Sequence, residues 1–372
     1  MVEKKKNTTL RNGIILIITF LLGACCLYGI FYFFPNVIGT TVTKLEKDVT
    51  VTDEGIADAV EKVYDSVVVV NTYNDGKAYS SGTGFVYKTE DDTAYILTNN
   101  HVIDNADDVY VKFTDETVVK AEVVGSDIYS DIAVLSVDEE YIIAVAEIGS
   151  SEDARLGDTV FAIGAPIDSA YSWSVTRGIV SGKDRMVEVE FTSGNTTTPM
   201  IVNTIQTDAA INSGNSGGPL ANSNGEVIGI TSIKLASSSM SNSSIEGMGF
   251  AIPIETALQF AKQLISGEEV ERPYLGISMI DVTNAYMSRE YYEIIRKANV
   301  TSGVIVAGFT DNSPAEQAGL KVGDIIIKVD GNDAPSNAYL RYYLYKHTVG
   351  DEMALTIIRD GKEKDIKVML TD

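Results

Sequence analysis

A serine inside a glycine-rich turn is the first feature of this sequence that could do chemistry. Ser216 lies in the stretch GNSGGPL, residues 214–220, where glycine residues stand on both sides of the hydroxyl. A serine hydroxyl is a poor nucleophile unless a base removes its proton and a third group orients that base. The question is therefore which other side chains of the chain could complete such an arrangement.

The search for a base is short, because the chain has only two histidines. His101 follows a predicted strand in LTNNHVI, whereas His347 lies in a predicted helix and matches nothing catalytic. Asp131, in SDIAVL, stands directly before an apolar strand. A single histidine is commonly a satisfied polar residue, and an aspartate at a strand edge is commonly a turn residue. Together, however, His101, Asp131 and Ser216 follow the chain order of one known catalytic triad.

The residues around Ser216 predict an oxyanion hole, in which backbone N–H groups stabilise negative charge on a substrate carbonyl. Gly214 can adopt the unusual backbone angles of such a turn without steric cost, and Asn215 tolerates them. Gly214, Asn215 and Ser216 are therefore the predicted hole residues, with the N–H groups of Gly214 and Ser216 as donors. Gly217 and Gly218 allow neighbouring backbone to approach Ser216 closely.

Short β runs must position these side chains. Between residues 67 and 235 the sequence alternates apolar runs such as AYILTNN and IAVLSV with turn signals such as Asn224-Gly225. Many short strands without helices between them predict a sandwich or a barrel. An amphipathic helix is predicted at 55–64, before the strands, and a helix at 252–267 closes the domain.

The last part of the chain, residues 272–372, predicts a small separate domain of strands and two helices. In SPAEQAGLKVGDIIIKVDG, Ser313 can cap a short helix, Pro314 suits its first position and Glu316 completes a capping box. A second helix is predicted at 336–349.

The N-terminal region predicts a membrane anchor. The 22 residues from 13 to 34 carry no charge, and as a helix they are about long enough to cross a ~30 Å hydrocarbon core. The basic tail before them favours an N-terminus inside the cell. We predict a cytoplasmic tail at 1–12, a transmembrane helix at 13–35 and a linker at 36–54. A cleaved signal peptide would have a shorter apolar core. Processing at LGAC as a lipoprotein acylated on Cys25 is the other alternative, although the apolar run continues past that cysteine.

Composition excludes several classes of function. The net charge of −23 argues against a nucleic-acid partner. Both cysteines, Cys25 and Cys26, lie in the predicted span, so the remaining chain has no disulfide and no thiolate metal site. The sequence has no His-rich ligand cluster and no phosphate-binding loop, and we expect no metal and no cofactor.

The blocks TNNHVI, SDIAVL and TDAAINSGNSGGPL resemble the three catalytic blocks of the HtrA (Deg) family of trypsin-like serine proteases. SGTGFVY and GMGFAIPI resemble that family's flanking strands, and PYLGI with SPAEQAGLKVGDIIIKVDG resembles its PDZ domain. The resemblance covers about residues 55–372. It implies a mainly β fold, with a chymotrypsin-like double β-barrel protease domain at 55–268 and a small α/β PDZ domain at 272–372, preceded by one transmembrane helix.

The resemblance also implies roles for individual residues. Ser216 matches the nucleophile, His101 the general base and acid, and Asp131 the group that orients the imidazole. Two further sets follow from the motifs. The residues that match the substrate cleft are Ser232, Ile233 and Lys234. Those that match the PDZ loop receiving a peptide C-terminal carboxylate are Tyr274, Leu275, Gly276 and Ile277.

An anchor, one protease domain and one PDZ domain resemble the membrane-anchored HtrA proteins of Gram-positive bacteria. This implies a single-pass cell-membrane protein whose extracellular domains degrade or process unfolded and misfolded proteins, usually as a homotrimer. The helix at 55–64 is a candidate trimer contact, with packing on its own barrel as the alternative. The first-strand loop NDGKAYSSG is short, which argues against large cages, and the segment 183–202 corresponds to a regulatory loop that is long here.

Two rival functions stay open at the level of sequence. A non-proteolytic chaperone or PDZ scaffold at the membrane would not need the triad. A narrow processing protease for one membrane substrate would use the same catalytic residues as a general quality-control enzyme.

Overall fold

The computed structural model describes residues 13–24, 53–165, 173–193, 196–232, 247–267, 270–286 and 288–372. Residues 13–24 form helix α1, which belongs to a unit of residues 1–50, whereas residues 51–372 form a second unit. Within the described ranges no helix is both long and apolar enough to cross a membrane. The rest of the predicted span, residues 25–35, lies outside these ranges, as do the tail at 1–12 and the linker up to residue 52.

The first half of the domain predicted at 55–268, here called the barrel domain, is a closed β-barrel that follows helix α2 (Asp53–Tyr64). Its strands are β1 (Val67–Asn74), β2 (Lys77–Glu90), β3 (Thr93–Thr98), β4 (Asp108–Lys112), β5 (Val118–Asp127) and β6 (Ile132–Asp138). They close in the order β1-β2-β3-β6-β5-β4. The valine run of β1 is buried on both faces, since alternate residues pack inside the barrel and against the second half of the domain. The helix α3 (Asn100–Ile103) follows β3 directly.

The second half of the domain is a seven-stranded sheet that curls into another barrel. Its elements are β7 (Glu147–Ile148), β8 (Thr159–Gly164), β9 (Ser174–Ser193), β10 (Thr196–Thr207), β11 (Pro219–Asn222), β12 (Glu226–Thr231) and β13 (Gly249–Pro253). The order is β11-β8-β9-β10-β13-β12-β7, and an additional β11–β12 pairing closes the barrel. Helix α4 (Ile254–Ser266) ends at Gly267, at φ +71°. The mainly β barrel architecture that the resemblance implies is confirmed.

One hydrophobic core joins the two barrels. Phe85 and Leu97 of the first barrel and Phe161 of the second are fully buried in the same cluster. Helix α2 contributes Ala59 and Val63 to that cluster, so it packs on its own domain. The role of this helix as a trimer contact stays a prediction.

The C-terminal domain is a separate sheet with helices on it. Its elements are β14 (Ile277–Asp281), α5 (Val282–Ala285), α6 (Arg289–Ala298), β15 (Val304–Phe309), α7 (Pro314–Gln317), β16 (Ile325–Val329), β17 (Asn332–Asp333), α8 (Asn337–Leu344), β18 (Glu352–Arg359) and β19 (Lys362–Met369). The main strand order is β14-β15-β16-β18-β19. The predicted cap of α7 is present, because the Glu316 N–H donates to Ser313 Oγ at 3.2 Å.

Contacts among the described residues attach this domain to the barrel domain at two places. Arg272 Nη2 lies 2.6 Å from Asp127 Oδ2, and the guanidinium carbon lies over the rings of Tyr129 and Tyr345, 4.8 and 5.6 Å from their centroids. Beyond the barrel, β9 and β10 continue as a long hairpin that reaches α8. The segment 183–202, expected as a loop, is therefore mostly paired strand.

We predict that Arg272→Ala lowers the free energy of unfolding by about 3 kcal/mol, because it leaves a buried carboxylate without its cation. The side chains of Arg272 and Asp127 are 19% and 7% exposed. Urea denaturation followed by fluorescence measures the change. Lys297→Ala breaks the exposed pair with Asp360 and serves as the control, with stability close to the wild type. Equal stability of the two variants would contradict the prediction.

Candidate active site

The His101 imidazole is held by the carboxylate of Asp131. His101 Nδ1 lies 2.9 Å from Asp131 Oδ1 and 2.8 Å from Oδ2. The histidine side chain is 23% exposed and the aspartate side chain only 2%, so the carboxylate lies behind the ring and the ring faces the surface. With Nδ1–H donated to the carboxylate, Nε2 is left as the basic nitrogen.

Asp131 stands in the turn between β5 and β6, at the left-handed φ of +56°. Besides the imidazole, its Oδ1 accepts the His101 backbone N–H at 3.0 Å. Its Oδ2 accepts the Ser232 hydroxyl at 3.1 Å. A buried carboxylate needs several donors to stay charged, and these three come from both barrels.

Ser232 follows strand β12, and its fully buried side chain donates to Asp131. Its place in a substrate cleft stays a prediction. Its backbone N–H donates to the Phe250 carbonyl at 3.1 Å. The other two predicted cleft residues, Ile233 and Lys234, lie outside the described residues.

Ser216 is pinned at the junction of the two barrels. Its carbonyl accepts the Thr83 N–H of β2 at 2.9 Å, and the next residue, Gly217, donates its N–H to Thr231 of β12 at 2.9 Å. A Cβ built on Gly82 would lie 2.7 Å from the Val102 methyls and 3.1 Å from the Ser216 carbonyl. The nucleophile turn therefore adjoins the segment that carries His101.

The turn around Ser216 contains two glycines with positive φ. Gly214 has φ +99° and Gly217 has φ +85°. A Cβ on Gly217 would overlap the Thr83 carbonyl and the Thr98 hydroxyl, so only glycine fits there. The Asn215 N–H donates to the Asn212 carbonyl of the same loop at 3.1 Å and so does not point toward a substrate. Gly214 and Ser216 remain the predicted donors of the hole.

Thr83 has a role that the sequence reading missed. Its hydroxyl donates to the Gly214 carbonyl at 2.6 Å and accepts the Ala165 N–H at 3.1 Å. The side chain is fully buried. It therefore holds the Gly214 peptide from behind, and the sequence showed only that a hydroxyl residue occupies the position.

The predicted peptide site of the C-terminal domain lies at the start of β14. The Tyr274 N–H donates to the Thr371 carbonyl at 2.7 Å and its hydroxyl to Thr310 Oγ1 at 2.9 Å, which fix the loop at one end. Leu275 is buried, and Gly276 has φ +70° with Ser313 in contact where a Cβ would stand.

Strand β14 offers an edge to an added strand. It pairs with β15 on one side, no described strand pairs with the other side, and α8 packs beside it. An extended peptide could join this edge with its carboxylate at residues Tyr274 to Ile277.

Several charged side chains lie close together where β14 ends beside the β9–β10 hairpin. Burial raises the pKa of Asp281, although its bond from the Asn337 N–H, 2.6 Å long, opposes that shift. Burial also raises the pKa of Glu188, and the charges of Asp281 and Glu190 add to the effect. Burial lowers the pKa of Arg341, which donates to the Pro199 carbonyl of the hairpin at 3.2 Å. The end of strand β14 thus lies at one of the contacts with the barrel domain.

Comparison with known families gives two matches in chain order. A trypsin-like peptidase domain matches residues 82–230, and a PDZ domain matches residues 273–370. Both matched ranges agree with the two domains described above.

Individual relatives cover most of the chain. The serine protease Do-like HtrA of Bacillus subtilis is 42% identical over 292 residues, which are 78% of this chain and 63% of that protein. The protein of the same name from Lactobacillus helveticus is 43% identical, over 79% of this chain and 69% of its own length. That of Lactococcus lactis subsp. cremoris is 35% identical over 90% of this chain and 87% of its own length.

Solved structures agree with the fold. The serine endoprotease from Yersinia pestis is 30% identical, with a TM-score of 0.61 over 87% of this chain and 99% of that one. The HtrA-type protease AlgW with a decapeptide is 29% identical, with a TM-score of 0.63 over 85% of this chain and 98% of that one.

We predict that Thr83→Val lowers kcat on a peptide substrate about 10-fold to 100-fold, with little change in KM. The variant removes the donor that holds the Gly214 peptide, and the loss should stay below the ~10²–10³ that one oxyanion donor supplies. Thr83→Ser keeps the hydroxyl and is expected to behave as the wild type. Steady-state kinetics of the three proteins, with circular dichroism to check folding, measure the difference. Equal activity of the valine and serine variants would show that the hydroxyl is dispensable.

Proposed function

Because the chain belongs to the HtrA, or Do-like, family of serine proteases, we propose that it is a membrane-anchored, extracytoplasmic serine endopeptidase that degrades or processes unfolded proteins. The observation that carries the catalytic part is the His101–Asp131 pair, with Nδ1 within 2.9 Å of the buried carboxylate and the Ser216 turn pinned beside it.

The geometry supports acyl transfer in two steps. Ser216 Oγ attacks the peptide carbonyl while His101 Nε2 takes its proton, and Asp131 stabilises the imidazolium that forms. The N–H groups of Gly214 and Ser216 donate hydrogen bonds to the carbonyl oxygen and stabilise its negative charge. His101 then gives the proton to the leaving amine. A water molecule, deprotonated by the same nitrogen, cleaves the acyl-enzyme and restores Ser216.

The C-terminal domain would select substrates by their ends. The open edge of β14, with the Tyr274–Ile277 loop at its start, suits an extended peptide whose C-terminal carboxylate sits in the loop. A relative of this fold, AlgW, has been solved with a tripeptide and with a decapeptide, which supports peptide binding in general. We propose that exposed C-termini of unfolded proteins are bound here.

The anchoring proposal rests on the N-terminal segment. The apolar side chains of α1 are exposed all round the helix, with Leu16 and Phe20 71% and 76% exposed, and such a surface suits lipid. A basic tail precedes it, which favours a cytoplasmic N-terminus and extracellular protease and PDZ domains. Lipoprotein processing would require Cys25, which lies outside the described residues. A homotrimer is proposed by analogy with the family.

We predict that Ser216→Ala abolishes the degradation of an unfolded, casein-like substrate, with a rate loss of at least about 10⁴-fold. The alanine removes the nucleophile and leaves the remaining structure intact. Gel analysis of substrate loss, together with release of soluble peptides, measures the effect. Degradation at the wild-type rate by the variant would exclude the protease proposal and favour a non-proteolytic chaperone or scaffold.

We predict that a peptide with a free C-terminal carboxylate affects protein degradation through the C-terminal domain, whereas the same peptide with an amidated end does not. If the domain only tethers substrates, the free peptide slows degradation of the unfolded protein and leaves turnover of a short chromogenic peptide unchanged. If the domain gates the active site, turnover of the short peptide changes as well. Identical effects of the free and amidated peptides would contradict carboxylate recognition.

A further inference from the structure

A buried carboxamide bonds the backbone of Asp131 and has no part in the mechanism above. Asn99 is 0% exposed and occupies the N-cap position of α3, the short helix that carries His101. Asparagine at an N-cap normally bonds the helix N–H groups with its side chain. Here the side chain makes no capping bond, and its Nδ2 donates instead to the Asp131 carbonyl at 2.9 Å.

The backbone of Asp131 needs such support. Its φ of +56° lies in the left-handed region, which is unfavourable for a residue with a Cβ, although aspartate tolerates it better than most. The Asp131 carbonyl accepts two hydrogen bonds, from the Asn100 N–H at 3.1 Å and from the Asn99 carboxamide at 2.9 Å. If φ relaxed to negative values, the Cα–Cβ bond would turn and carry the carboxylate away from His101.

The orientation of the Asn99 amide follows from its surroundings. The reversed amide would set Oδ1 against the Asp131 carbonyl, which would oppose two acceptors, so Nδ2 is the atom that faces Asp131. In this orientation Oδ1 is buried and has no hydrogen-bond partner among the described residues. An unpaired buried acceptor lowers stability. A residue that costs stability while it supports a strained catalytic neighbour fits a role in the site better than a role in the fold.

We propose that Asn99 is a positioning residue of the peptidase, whose carboxamide holds Asp131 in the left-handed conformation that aims its carboxylate at His101. The inference rests on the proposed peptidase function and deepens it. Asn99 touches neither the substrate nor the reacting atoms, and its whole effect is transmitted through Asp131.

The first test compares Asn99→Ala with the wild type on a short peptide substrate. We expect kcat to fall about 10-fold to 100-fold, with KM nearly unchanged, because the contact orients the base and does not bind substrate. Asn203→Ala is the matched control. That carboxamide also has a bonded Nδ2, 3.3 Å from Asp184, and a buried unpaired Oδ1, but it lies on β10, which carries no triad residue. Wild-type kcat in Asn99→Ala would overturn the proposal.

Asn99→Leu separates positioning from folding. Leucine keeps the volume and removes both polar atoms, so the unpaired oxygen is no longer buried. We expect a melting temperature at or above that of the wild type together with the same loss of kcat. A leucine variant that is stable and fully active would overturn the proposal.

The double variant with Asn99→Ala and Asp131→Ala tests whether the effect of Asn99 is transmitted through Asp131. If Asn99 acts through Asp131, the second substitution adds no further loss of kcat in that background. An equal loss in both backgrounds would mean that Asn99 acts on something else, and the proposal would be wrong.

A spectroscopic readout keeps the inference distinct from the proposed function. The low-field proton resonance of His101 Nδ1–H reports the bond to Asp131 without catalysis, and His347→Gln assigns it because the chain has only two histidines. We expect the resonance to shift or broaden in Asn99→Ala and to persist in Asn203→Ala. An unchanged resonance overturns the positioning role. A wild type no more active than Ser216→Ala overturns the peptidase function instead.

Discussion

The buried carboxylate of Asp131 is the group on which the arrangement of the catalytic residues depends. A charge that is 2% exposed can persist only where donors surround it. Those donors are the His101 ring and backbone from the first barrel and the Ser232 hydroxyl from the second. The second barrel therefore completes the set of donors around the carboxylate.

The turn that carries Ser216 is also held by groups from both barrels, here through hydrogen bonds of the backbone. Ser216, Gly217 and Gly218 belong to the second barrel, but their turn bonds Thr83 on β2 of the first. Thr83 adds its hydroxyl to the Gly214 carbonyl, so one residue supports both the serine and the turn that faces the developing charge. Large side chains are excluded there by direct overlap, which is why glycine is required.

The C-terminal domain meets the protease domain through elements that lead toward this junction. Arg272 bonds Asp127, and Asp127 also accepts the Ser130 N–H, one residue before Asp131. The β9–β10 hairpin contacts α8 beside the open edge of β14.

Much of this protein could be read from local sequence. The alternating apolar runs predicted strands and barrels, the PAEQ segment predicted a capped helix, and GNSGG predicted a turn with positive φ, because each of these depends on residues close together in the chain. His101, Asp131 and Ser216 could be proposed for the same reason, since each lies in a short recognisable block. The helices at 55–64 and 252–267 could likewise be predicted, because the spacing of apolar residues within each segment indicates a helix.

Contacts between distant segments needed the tertiary structure. Ser232 lies 101 positions from Asp131, and Thr83 lies 131 positions from Gly214, so no local pattern tells that their hydroxyls hold the triad and the turn. The same holds for the segment 183–202, which pairs as a hairpin. It also holds for Asn99, whose side chain bonds the Asp131 carbonyl and does not cap its own helix. The sequence alone determined which residues are able to react, because reactivity resides in side-chain type and local turn geometry. Only the tertiary structure decided what holds them in place, because that support comes from side chains brought together when the two barrels pack.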